Sequence, residues 1–182
     1  MTLHKTTRHK YLTSGLWCFT TGLLLFAGAV HAKGTYQTPD DFLSEAFTRE
    51  VPEPELLWLT GDTGNRVREI LGHRPNSLRV RYWRKDERTV WILEEIGKEK
   101  PITTGFIVSN NQIEKVRVLI FRESRGWEVR YPFFTDQFIG RKINGDQKLD
   151  KPIDNITGAT LSVNAITRLS RLALFLHKKV TT

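Results

Sequence analysis

The sequence predicts an α+β domain. It combines an antiparallel sheet of about four strands, two short N-terminal helices and a long C-terminal helix packed on the sheet. Three observations carry this. Four runs between residues 78 and 121 are rich in apolar residues, several alternating with polar ones, and polar turns separate them. From Leu161 onward the apolar residues recur at helical spacing: Leu161, Ala165, Ile166, Leu169, Leu172, Ala173 and Leu176. Two shorter helical patterns, with a start or stop signal, precede the first strand.

Residues 1–32 read as a leader. Lys5, Arg8, His9 and Lys10 form a positive opening, and residues 16–30 form an apolar run. Val30, His31 and Ala32 end it with small residues at the two positions that matter for cleavage. This matches a secretory signal peptide cut after Ala32. The run is shorter than the roughly 20 residues of a spanning helix, so an uncleaved anchor is the second reading. Cys18 is the only cysteine. A processed chain would therefore have no disulfide, thiolate metal site or cysteine nucleophile. The chain is expected in the periplasm or on the outer face of the inner membrane.

The 182 residues suit one domain plus a short extra segment. The net charge is +8, with three of those charges in the leader. A basic excess this mild fits solubility and acidic partners, and no nucleic-acid signature accompanies it.

Residues 33–100 are expected to supply the N-terminal helices and the first hairpin. Residues 33–37 read as loose. Thr38, Pro39, Asp40 and Asp41 open a capped short helix that Pro52 and Pro54 break. Residues 55–59 are a short apolar piece and 60–64 a loop. Val67, Ile70 and Leu71 mark a second helix stopped at Gly72. Residues 78–83 and 89–93 form a hairpin, with Arg79 and Arg81 on a solvated face. Residues 94–100 read as charged and exposed. His73 and His177 are the only histidines past the leader, and neither has a carboxylate at metal spacing, so no metal site is expected.

Residues 101–182 carry the chemistry. Strands are expected at 102–108 and 113–121, with Val116, Val118 and Ile120 on one face. The stretch 154–160 then runs into the long helix: Asp154, Asn155, Ile156, Thr157, Gly158, Ala159, Thr160. A helix starting near Gly158 leaves N–H groups unpaired and its positive dipole end exposed, which suits a phosphate. Ordinary N-capping by Asp or Thr is the alternative reading.

This stretch resembles the attachment motif of the FMN-binding domain family. That family includes the C subunit of the sodium-pumping NADH:quinone reductase and the G subunit of the Rnf complex. Asp154, Thr157, Gly158, Ala159 and Thr160 meet its pattern without departure. The resemblance extends upstream. Phe134, Gln137, Phe138 and Gly140 match a Phe-x-x-Gln-Phe-x-Gly segment. Glu123, Ser124, Arg125 and Gly126 stand where the family has Glu-Thr-Pro-Gly, with the proline lost.

The resemblance implies FMN bound covalently to the Thr160 hydroxyl through a phosphoester, made from FAD by a flavin transferase. Ser162 is the nearest alternative acceptor. Asp154 would cap the helix or present Thr160 to the Mg²⁺-dependent transferase. Trp127, Phe134 and Phe138 are candidates for a ring face, with core packing as the alternative for the phenylalanines. Arg122 or Arg125 would supply positive charge near the ring, and Glu123 would pair with an arginine. No hydrolytic constellation appears. The expected role is electron transfer with a redox partner protein in or at the membrane. A flavoenzyme acting on its own substrate and a non-redox envelope binding module are the competing readings.

Overall fold

The computed structural model describes Met1, residues 34–145 and residues 147–182. Past Met1, the expected leader lies outside the described residues. The described residues from 34 onward group as one compact unit.

Two helices come early, α1 at Pro39–Ala46 and α2 at Gly61–Leu71. The strands are β1 at Glu55–Trp58, β2 at Arg79–Lys85, β3 at Arg88–Ile96, β4 at Pro101–Ser109 and β5 at Gln112–Phe121. They form one antiparallel meander in the order β1-β2-β3-β4-β5. A short helix α3 follows at Pro132–Thr135, and α4 runs from Thr160 to Thr181.

The α+β class holds, with five strands in place of about four. The extra strand is β1, the apolar piece expected at 55–59. Four residues are too few to display alternation. It forms because β2 offers it a ladder, with Glu55 opposite Tyr82. The loop expected at 60–64 is mostly helix, since α2 already begins at Gly61. Gly72 ends α2 in a left-handed conformation, as its position suggested.

Each sheet face carries its own core. On one face α2 and α4 bury Val67, Ile166, Leu169 and Ala173 against Trp91, Phe106, Val116 and Val118. On the other, Phe42, Leu43 and Ala46 of α1 sit on Val90, Ile107 and Leu119. That is why β4 reads as a nearly continuous apolar run: both its faces are covered. The hairpin between β4 and β5 turns at Asn110 and Asn111, both at positive φ, which matches the twist of the strands. A shift in the β4–β5 register opposite Thr103 and Thr104, between Val118 and Ile120, breaks the expected common face. Val116 and Val118 meet the α4 core, whereas Ile120 packs with the α1 core.

Three charge and edge expectations change. Residues 34–36 are not loose. The Phe121 N–H donates to the Gly34 carbonyl and the Tyr36 N–H to the Leu119 carbonyl, each at 2.8 Å. Edge strand β5 has free backbone groups, and this segment satisfies some of them. Glu95 is not exposed: it is 5 % accessible. Its carboxylate accepts from His73 Nε2 at 3.0 Å and from Arg168 Nη2 at 3.3 Å. Arg168 accordingly turns toward the sheet, whereas the apolar spacing of the long helix puts it on the outward face. His73 is bound at both ring nitrogens, by the Arg74 carbonyl at 2.8 Å and by Glu95. The Arg74 carbonyl raises its pKa most, burial opposes it, and Glu95 raises it further, so the pKa lies above the ordinary value.

Gly105 faces the Phe42 ring, where a β-carbon would lie 2.5–2.7 Å from ring atoms. Phe42 is fully buried and has no room to swing aside. Gly105→Ala should therefore lift α1 and cost about 1–3 kcal/mol, read as a lower urea midpoint.

Candidate functional site

The site is assembled from three segments far apart in sequence. The first is the start of α4. Gly158 has φ +84°, a conformation that favours glycine, and turns the chain into the helix. Ala159 stands at the N-cap, and no side chain caps the helix there. The first backbone bond of the helix is from the Val163 N–H to the Ala159 carbonyl. The earlier N–H groups thus have no intrahelical acceptor, and the positive dipole end is not neutralised by a capping group.

Thr160 is exposed, and its Oγ1 accepts a hydrogen bond from Asn155 Nδ2 at 2.9 Å. Ser162, one position beyond Leu161, is only 4 % accessible. Thr157 is exposed in the preceding turn. Asp154 is also exposed. Its backbone N–H donates to Gln137 Oε1 at 2.7 Å, but its carboxylate does not cap α4. Gln137 belongs to the Phe-x-x-Gln-Phe segment, so the two motifs noted in the sequence are tied by one hydrogen bond.

The second segment leaves β5. Gly126, at φ +82°, lies against the first turn of α4. A β-carbon on it would be 3.0 Å from Ser162 Oγ and 3.3 Å from Ala159 Cβ. Glycine is required there both by the backbone conformation and by the contact. The third segment is the turn between β3 and β4. The Glu123 Oε1 oxygen accepts from the backbone N–H groups of Lys98, Glu99 and Lys100 at 2.5, 2.7 and 2.9 Å. The expected pairing of Glu123 with an arginine is replaced by this clamp, because an unpaired turn offers three donors to one carboxylate. Burial raises the Glu123 pKa, but the three backbone donors outweigh it and hold the group below its ordinary value.

Between these segments lies a cleft of about 530 Å³, within the size range of small-molecule sites. Lys98, Glu123, Ser124 and Arg125 form one wall, and residues 158–162 form the other. Its lining carries two cations, Lys98 and Arg125, against one carboxylate, Glu123, with the positive end of α4 beside them; Lys98 Nζ also lies 3.4 Å from Glu99 Oε1.

The other candidates lie elsewhere. Arg122 points along the sheet, donating to Thr103 Oγ1 at 2.9 Å and the Pro101 carbonyl at 3.1 Å. Trp127 is 43 % accessible and stacks edge-on with Tyr131, outside the cleft lining. Phe134 and Phe138 are fully buried as a T-shaped pair 5.3 Å apart, so they are core residues and not a ring face. Sequence reasoning missed Lys98, Ser124, Asn155 and Leu161. Leu161 belongs to the helical apolar stripe by spacing, yet it is half exposed and lines the cleft. An apolar residue in the first turn after Gly-Ala-Thr was the available signal. Among the described residues no cluster of three or more His, Cys, Asp and Glu forms a metal-holding group.

Residues 97–174 match the profile of the FMN-binding domain. This segment belongs to the FMN-binding domain family. Its limits take in the clamped turn, the β5 exit loop and most of α4. Two solved structures share the fold. Shewanella oneidensis NqrC aligns with TM-score 0.54 at 14% identity, covering 75% of this chain and 84% of its own. The C subunit of the Na(+)-translocating NADH-quinone reductase from Parabacteroides distasonis aligns with TM-score 0.52 at 16% identity, covering 78% and 82%. Among the curated proteins none matches the chain.

The cleft wall can be tested by pH. Because the Glu123 pKa is depressed, the clamp is present above the ordinary value of 4.5 and is lost as pH falls through the lower folded value. Amide exchange at Lys98, Glu99 and Lys100 should lose protection over that acid range. In Glu123→Gln the protection should be weak at every pH.

Proposed function

We propose that this chain is an exported electron-transfer flavoprotein that carries FMN as a phosphoester on Thr160, attached from FAD by a flavin transferase. One observation carries the reading: an exposed hydroxyl opens an uncapped helix inside a basic cleft of the FMN-binding domain. Nucleophile, anion site and room for a small molecule coincide there.

The residues divide the work. Asn155 donates to Thr160 Oγ1, which fixes the rotamer of Thr160 and leaves a lone pair for attack on phosphorus. In the attachment step that oxygen bonds to the phosphorus nearer the riboflavin part of FAD. AMP leaves, and the hydroxyl proton passes to the transferase. The unpaired N–H groups of α4 and the cationic side chains of Lys98 and Arg125 then hold the phosphate charge. Ser162, buried against Gly126, is a poor competitor as acceptor. Asp154, exposed and not used as a cap, remains available to the transferase. Leu161 offers an apolar surface beside the cleft. FMN supplies one- or two-electron redox chemistry that no side chain here possesses.

The compartment gives the covalent bond its purpose. Outside the cytoplasm a lost cofactor is not replaced, and a phosphoester prevents the loss. The leader-like residues 1–32 support export to the periplasm or the outer face of the inner membrane. The shared fold with subunits of a membrane reductase supports a redox partner in or at the membrane.

Co-expressed with a flavin transferase, the chain should give a flavin-fluorescent band after denaturing electrophoresis. Thr160→Ala should abolish the band's fluorescence, and Thr160→Ser and Ser162→Ala should keep it. Asn155→Ala should lower the labelled fraction without moving the thermal midpoint. A fluorescent Thr160→Ala band would refute the attachment point.

A further inference from the structure

Beside the cleft, the loop after Gly126 leads into a cluster of accessible aromatic rings. The Arg130 guanidinium lies over three of them, 4.3 Å from the centre of Tyr36, 5.3 Å from Trp127 and 4.7 Å from Tyr131. Its Nη2 also donates to the Tyr131 hydroxyl at 2.9 Å. Phe133 extends the cluster, with its ring 6.3 Å from Tyr131, and is 61 % accessible. Three accessible aromatic rings around one cation, with Phe133 beside them, make an apolar surface that water covers poorly.

The composition matches a lipid interface. Tyrosine and tryptophan rings place an apolar body in the acyl boundary and a polar tip among headgroups, and arginine adds a charge that anionic headgroups attract. The position agrees with the composition. The chain enters the fold at Gly34, pinned to β5, and Tyr36 is already part of the patch. The apolar run ends at Val30, six residues earlier. Fully extended, six residues span roughly 20 Å, so where the run is kept as an anchor the bilayer holding it is within reach of the patch. The net charge of +5 that residues 33–182 carry, +8 less the three leader charges, adds attraction toward anionic lipid.

We infer that the surface of Tyr36, Trp127, Arg130, Tyr131 and Phe133 rests on the lipid bilayer, with the aromatic rings at headgroup depth. Trp127 follows Arg125 of the cleft wall by two residues, so this contact lies near the cleft. The contact itself does not depend on Thr160 carrying a flavin.

The test uses the exported chain with whatever leader it retains. A nitroxide is attached in Cys18→Ser/Phe133→Cys, and as a control in Cys18→Ser/Glu87→Cys. Glu87 sits in the turn between β2 and β3, at the opposite end of the sheet. Vesicles of phosphatidylethanolamine and phosphatidylglycerol are added. Oxygen access to the label at 133 should rise several-fold and access of a polar nickel chelate should fall, with neither change at 87. Adding Trp127→Ser should reduce the shift at 133. If nickel access at 133 is unchanged by vesicles, or falls only when another protein is added, the lipid contact is wrong. Flavin absorbance of the same samples reports the cofactor reading separately.

Discussion

The cleft depends on one close approach. Gly126 brings the β5 exit loop to within a methyl group of Ala159 and Ser162 at the start of α4. Any side chain at that position would push the loop from the helix and open the wall formed by Ser124 and Arg125. The approach works because both partners are small and because a left-handed turn is available to glycine. Glu123, three residues before Gly126, then draws in the β3–β4 turn through three backbone N–H groups. One short loop thereby joins sheet end, helix end and turn.

The helix end is left unfinished where finishing it would be easy. Asp154 and Thr157 are residue types that commonly cap helices, yet neither does so. Capping is worth about 0.5–2 kcal/mol, so a stable helix has given up some stability at its first turn. The long apolar face of α4 absorbs that loss, since Ile166, Leu169, Ala173 and Leu176 are fully buried. Stability is supplied at the middle of the helix, and its start is left uncapped. The Gln137 bond to Asp154 holds the approach to the helix without engaging its free N–H groups.

Much of this was legible beforehand. The spacing of apolar residues in α4 extends over several turns and leaves no other assignment, and the runs of β3, β4 and β5 are nearly as clear. The five matched positions at 154–160 drew attention to the stretch whose end, with Leu161 and Ser162, forms one wall of the cleft. What was not legible depends on partners distant in the chain. Glu95 looks like a solvated charge until His73 and Arg168 are brought to it. Lys98 enters the cleft only because Glu123 folds its turn inward. Phe134 and Phe138 carry a motif and were open to a role at the cofactor, but a motif residue can serve by packing. β1 is too short for its pattern to be seen without β2 beside it.

The most direct measurement is the intact mass of the exported chain made with a flavin transferase, followed by fragmentation of the peptide containing 154–162. Covalent attachment at the uncapped helix requires one added FMN, carried by the fragment that includes Thr160. An unmodified mass, or FMN found on another residue, would contradict it.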